Sequence, residues 1–283
     1  MTPLKEKSPP AIPGHDCSTC PSFVELEQLG IRLDQWDHLV ALAGNPNTGK
    51  SSVFNALTGL KQHVGNWPGK TVARAEGGFR FNGARFKMVD LPGTYSLLSA
   101  SEDEEISRNF ILFGKPDCIV VVADATALER NLNLALQVME ITDRVVVCVN
   151  LMDEARRKGI TVDLRSLSKD LGVPCVGTVA RTGEGLSDLM RAVSGVISGE
   201  LTTKPVRTQV PAEVESALSE LVPMIERLVP GLPNARWVAF RLLDGDLRIR
   251  QALQNGNLGS VQQEQQDAPL PAASRLVSIH GAQ

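Results

Sequence analysis

No apolar run in these 283 residues approaches the roughly 18–20 needed to span a bilayer, so no transmembrane helix is expected. The N-terminus carries no apolar core of a secretory signal. Positive charge is not in excess: 29 Lys and Arg stand against 32 Asp and Glu, a net charge of −3. That balance removes any general electrostatic pull toward nucleic acid or anionic lipid, and no basic domain or RNA-binding motif is evident. Cysteines are few and odd in number, five, and Cys118 and Cys148 sit inside apolar runs. A disulfide framework is therefore not expected, and a reducing cytoplasm fits. No internal repeat is present. What remains is 42% hydrophobic and 22% charged, ordinary for a globular chain with ample core in one large or two smaller domains.

The apolar pattern alternates between two periods. Short β-branched runs at 38–43, 85–89, 118–123, 144–149 and 174–178 read as strands, and helical spacing fills 103–113, 127–141, 163–171 and 185–197. Near-continuous apolar strands separated by helices predict an α/β fold, a doubly wound and mostly parallel sheet covered on both faces. In such sheets ligands sit at the carboxyl ends of the strands, so the loops that follow each strand are where chemistry is expected.

The first of those loops is Gly44-Asn45-Pro46-Asn47-Thr48-Gly49-Lys50-Ser51, followed by Ser52 and a helical run. It satisfies the phosphate-binding pattern G-x-x-x-x-G-K-[ST] between a strand and a helix. The glycines let successive N–H groups turn inward on an anion, and the helix adds its positive dipole end. Lys50 reaches the β- and γ-phosphates and Ser51 offers a hydroxyl to Mg²⁺. After the strand ending at Val89 comes Asp90-Leu91-Pro92-Gly93, where Asp90 holds Mg²⁺ through a water and the Gly93 N–H senses a γ-phosphate. After Val149 comes Asn150-Leu151-Met152-Asp153, close to the base-reading N-K-x-D of GTPases with Leu151 in place of Lys. Asp153 can accept from guanine N1–H and N2–H₂ together, a pair that adenine lacks. After the last strand, in Thr178-Val179-Ala180-Arg181, a backbone N–H, that of Ala180, is expected to meet guanine O6. Four such loops in order predict a P-loop GTPase that binds GTP and GDP.

Asn47, Gly65-Asn66-Trp67-Pro68-Gly69-Lys70-Thr71, Asp90-Leu91-Pro92-Gly93-Thr94-Tyr95 and Asn150 to Ala155 together resemble the cytoplasmic GTPase domain of the FeoB family of bacterial ferrous-iron transporters. The likeness covers about 38–250, and the Asn-Trp-Pro-Gly segment is its most specific part. The chain departs from the family at Val179, where Ser is frequent, and in residues 1–37, an N-terminal extension. The resemblance implies that Thr71 is the switch threonine completing Mg²⁺ coordination beside Ser51 and Asp90. It implies two mobile switch loops at 61–75 and 91–102. The position that holds a water-orienting Gln in many GTPases is Thr94, so slow intrinsic hydrolysis is expected. An Asn47 oxygen can hold K⁺, with carbonyls of Gly65 and Trp67 completing the cage as the resemblance implies; the alternative is that Asn47 hydrogen-bonds within its loop. Asn47, Lys50, Thr71 and Gly93 are then the catalytic set, and Mg²⁺ and K⁺ the cofactors.

The expected domains are 1–37, the GTPase domain at 38–203, a small all-α helical domain at 204–256 with helical spacing at 211–228 and 233–243, and a tail at 257–283. The resemblance implies that the helical domain favours the GDP state and links the switches to a transmembrane permease; the alternative is a plain helical cap. Expected partners are that permease and a small cytoplasmic accessory protein of iron uptake, with no nucleic acid. The expected location is the cytoplasmic side of the bacterial inner membrane. In the extension, His15, Cys17 and Cys20 offer three metal ligands, one short of a closed site. Two other functions stay open: a potassium-dependent GTPase of tRNA modification or ribosome assembly, and a non-catalytic nucleotide sensor.

Overall fold

The computed structural model describes residues 36–59, 62–68, 70–98, 101–232 and 234–254, so the extension with His15, Cys17 and Cys20 lies outside it. Five strands run parallel: β1 (His38–Gly44), β4 (Ala84–Asp90), β5 (Cys118–Asp124), β6 (Val145–Asn150) and β7 (Cys175–Gly177). Two more, β2 (Gln62–Asn66) and β3 (Ala73–Phe81), add antiparallel to β4 and complete a seven-stranded sheet in the order β2-β3-β4-β1-β5-β6-β7. The apolar runs fix the parallel part because each strand must bury both faces. Leu39, Ala41 and Ala43 face one layer and Val40 and Leu42 the other.

One face is covered by α1 (Lys50–Thr58) and α6 (Leu186–Ser198), which bury Phe54, Leu189 and Val193. The other is covered by α2 (Glu102–Phe113), α3 (Leu128–Ile141) and α5 (Leu164–Leu171). α4 (Met152–Arg157) is a short helix at the end of β6. Three C-terminal helices, α7 (Ala212–Leu228), α8 (Ala235–Leu243) and α9 (Leu247–Gln254), follow the sheet domain and bury Leu218, Ile225, Trp237 and Val238. Among the described residues no helix is long and apolar enough to cross a membrane.

In the segment 61–75, expected to be a mobile loop, 62–66 and the residues from 73 are strand rather than loop: β2 pairs with β3 as a hairpin, with Gly65 opposite Arg74. β3 lacks an apolar run at its buried positions, which are Glu76 and Gly77. Glu76 is only 7% exposed and receives Lys87 Nζ at 2.6 Å and Arg74 Nε at 2.9 Å. Paired in this way, charges that cost several kcal/mol each when isolated are tolerated in the sheet.

Candidate functional site

The parallel strands end together, with Asp90 opposite Leu42 and Asn150 opposite Asp124, so the loops after β1, β4, β6 and β7 share one edge of the sheet. On the phosphate side, the loop from Gly44 to Lys50 turns through left-handed backbone at Asn47 (φ 66°) and Gly49 (φ 79°). Gly49 is required twice over, since a Cβ there would also collide with Asn150 Nδ2. Thr48 Oγ1 donates to Asn45 O at 2.9 Å and closes the turn. Lys50 Nζ meets Asp90 Oδ1 at 2.5 Å, with the two side chains 10% and 13% exposed. Burial pushes the Asp90 carboxyl up, and the Lys50 charge pulls the other way.

Gly93 stands against the loop: the position of an added Cβ lies 3.5 Å from Pro46. The next residue, Thr94, donates its N–H to Gly44 O at 3.2 Å and its hydroxyl to Ser96 O at 2.7 Å. Asn47, Ser51, Ser52 and Thr71 are exposed. Among the described residues the Asn47 side chain makes no hydrogen bond. Trp67 is buried at 2% exposure, edge-on to Phe110 of α2 at 5.6 Å and under the Arg74 guanidinium at 5.7 Å. Its carbonyl accepts from Lys70 N at 3.0 Å, while Gly65 lies in β2.

On the base side, Asn150 is fully buried and uses both ends of its amide. Its Nδ2 donates to Thr48 O at 3.0 Å; its Oδ1 accepts from Thr178 Oγ1 and Ala180 N, each at 3.1 Å. The single Thr178 proton is thereby used, so in the 3.2 Å contact between Cys148 Sγ and Thr178 Oγ1 the thiol is the donor. Burial pushes that thiol up to about 12, which keeps its proton in place. The Ala180 N–H, expected to meet guanine O6, is directed at Asn150. Leu151 takes left-handed backbone (φ 63°) and brings its Cδ2 to 3.9 Å from the Cβ position of Gly49, an apolar wall against the phosphate loop. Met152 N donates to Thr178 O at 3.2 Å. Asp153 Oδ2 faces Arg181 at 3.5 Å and Arg157 at 3.9 Å. A cleft of about 670 Å³ opens here, lined by Ser52, Asn55, Leu151, Asp153, Ala180 and Arg181 among others. A second cleft of about 420 Å³, between the start of α3 and α5, contains none of the expected site residues. Among the described residues no group of three His, Cys, Asp or Glu is placed to hold a metal.

The roles of Cys148 and of the Thr48 carbonyl were missed by sequence reasoning. The Thr48 carbonyl carries no local signal: it lies 102 residues from the amide that it receives.

A sequence profile described as ferrous iron transport protein B matches residues 38–193, and one described as the FeoB cytosolic helical domain matches 211–271. A Porphyromonas gingivalis Fe(2+) transport protein A/Fe(2+) transporter FeoB fusion protein is 41% identical over 217 residues, covering 75% of this chain and 26% of that protein. The cytosolic domain of Thermotoga maritima FeoB in apo form superimposes with a TM-score of 0.70 at 38% identity, over 80% of this chain and 89% of that one. The same T. maritima domain in a GDP form gives 0.69 at 37% identity, with coverage of 80% and 89%. The chain spans about a quarter of the length of the curated relatives it matches.

Proposed function

The chain belongs to the FeoB family of ferrous iron transport proteins, and from that premise we propose that it is the GTP-binding and GTP-hydrolysing switch part of such a transporter. The observation that carries this reading is Asn150, whose one buried amide joins the phosphate loop at Thr48 to the base loop at Ala180. In this reading Gly44 to Ser52 cradle the phosphates, Asp153 selects guanine, and Leu151 covers the base. The Ala180 N–H turns from Asn150 to the base carbonyl when a guanine occupies the cleft.

Lys50 and Asp90 neutralise each other across 2.5 Å. A polyphosphate takes the lysine and a divalent cation takes the carboxylate, so the pair is a preformed socket for both. Ser51, Thr71 and Asp90 are the residues that would hold Mg²⁺, whose role is to screen the phosphate oxygens. Asn47 fits as a ligand for a monovalent cation, since its side chain is exposed and unengaged among the described residues. A K⁺ held there with the Gly65 and Trp67 carbonyls would supply the positive charge that an arginine finger supplies elsewhere. The chain itself provides Gly93 as the γ-phosphate sensor and Thr94 where a Gln would orient water, which gives slow intrinsic hydrolysis. The helical segment biases the switch toward GDP and joins it to a membrane permease that carries Fe²⁺, with this part at the cytoplasmic face of the bacterial inner membrane. A small accessory partner is supported by the P. gingivalis relative, whose name describes a fusion of transport protein A with FeoB.

The test is nucleotide binding and single-turnover hydrolysis. Lys50→Ala is expected to weaken GTP binding about 100-fold, the loss of a charge-assisted contact, and GTP turnover is expected to be faster in KCl than in NaCl at equal ionic strength. Near-normal GTP affinity in Lys50→Ala overturns the site assignment.

A further inference from the structure

We propose that Gln137 of α3 is a positioning residue for the loop after Gly93, and that the C-terminal helices act on the site through the turn that carries it. The inference rests on the GTPase reading above and names the side chain that sets its γ-phosphate sensor.

Gln137 Oε1 accepts from Leu97 N at 2.7 Å and from Ser96 Oγ at 3.3 Å. The backbone donor fixes which end of the amide faces the loop, because an N–H demands the oxygen. Leu97 is buried at 1% exposure, so its N–H has no recourse to water. Four residues upstream, Gly93 lies beside Pro46, where an added Cβ would come within 3.5 Å, and Thr94 N is bonded to Gly44 O. The segment 93–97 is thus slung between the phosphate loop at one end and α3 at the other. Arg130, seven residues before Gln137 and therefore on the same helix face, places its guanidinium 4.4 Å over the Tyr95 ring. α3 grips the loop at two points.

One turn further along, the same helix receives the C-terminal segment. Asn234 Nδ2 donates to Glu140 O at 2.9 Å and to Ile141 O at 2.6 Å, and Glu140 Oε1 accepts Thr208 N at 2.8 Å. A shift of the helical segment therefore moves the turn on which Gln137 stands. Gly93 matters only when a γ-phosphate is present, so loosening its far anchor affects GTP turnover and spares GDP binding.

The experiment compares Gln137→Leu with Gln137→Glu in the full chain, measuring kcat and KM for GTP in KCl and the Kd for GDP. Gln137→Leu leaves the Leu97 N–H buried and unpaired and is expected to lower kcat about tenfold, with GDP affinity within about twofold of wild type. Gln137→Glu keeps an acceptor for both donors and restores kcat to within about threefold. A wild-type kcat in Gln137→Leu, an equal loss in Gln137→Glu, or a GDP affinity that falls together with kcat overturns the proposal. If Gln137→Leu does not fold, Arg130→Met tests the second grip: it is expected to lower kcat about two- to fourfold, as for loss of a cation–π contact, and no change overturns the proposal. A wild-type chain that turns over no GTP in KCl, with Gln137 variants equally inert, removes the parent reading and this one together; active wild type with unaffected variants removes this one alone.

Discussion

The two halves of the candidate site are built on opposite principles. On the base side, Cys148, Asn150, Thr178 and the Thr48 carbonyl form a chain of buried hydrogen bonds that closes without a ligand. On the phosphate side, Asn47, Ser51 and Thr71 are exposed, and the chief polar contact is the Lys50–Asp90 ion pair, whose two members would each be claimed by a nucleotide–metal complex in the proposed reading. Buried networks that are fully satisfied rigidify; exposed and unengaged ligands leave a geometry to be set by what binds. The comparison teaches where selectivity and switching reside. In the proposed reading, base choice draws on a network already closed in the resting fold, from which only the Ala180 N–H must turn, and the response to the γ-phosphate is conditional.

Breaking the base half at the half-buried Asp153 carboxylate is expected to have the largest effect. Asp153→Asn replaces a two-site acceptor with one acceptor and one donor, and xanthine, with a carbonyl at C2, becomes the better match. The GTP-to-XTP affinity ratio is expected to fall by about 10³ or more, given that sites built on paired hydrogen bonds discriminate by about 10⁴–10⁵. Competition binding with the two nucleotides measures it, and an unchanged ratio removes Asp153 as the reader of the base.

A smaller effect is expected on the phosphate side from Asn47→Ala. The potassium stimulation of turnover should be lost, about tenfold or more by comparison with an arginine finger, while GTP affinity is kept. A potassium response that survives the substitution places the cation elsewhere.

The smallest effect asks whether the helical segment speaks to one half only. Asn234→Asp keeps the oxygen that caps α8 through Trp237 N but loses both donors to α3. The GDP-to-GTP affinity ratio is expected to fall about three- to tenfold, through tighter GTP binding with GDP affinity spared, since only differential affinity can bias a switch, with the GTP-to-XTP ratio unchanged. Equal loss for both nucleotides reduces the segment to a cap.

The parallel sheet was legible because its strands are apolar throughout, as in Cys118–Asp124 and Val145–Asn150. The boundaries of those strands and of α2, α3, α5 and α6 fall within a residue or two of the periodicity. β3 was illegible for the opposite reason: Ala73–Phe81 buries Glu76 against Lys87 and Arg74, and a buried charge that is satisfied looks like surface in a linear reading. α9 was missed because Leu247–Gln254 buries little beyond Ile249 and owes its start to Asp246, whose Oδ1 accepts Arg248 N and Ile249 N. The loop motifs were visible because phosphate binding needs particular residues at fixed spacing. Gln137 had no such signature: a single side chain reaching a loop forty residues away leaves nothing periodic behind.

The hairpin that carries Trp67 also closes the sheet. β2 is its outermost strand on that side, five residues long, with Val64 three-quarters exposed. A short strand interrupted by Gly65 makes a poor template for a neighbouring chain. Any movement of this segment that peels β2 away uncovers β3, nine residues from Ala73 to Phe81, as a new free edge. Edge-to-edge pairing through β3 would then be open only while β2 is away, so the hairpin shields the sheet as well as carrying Trp67.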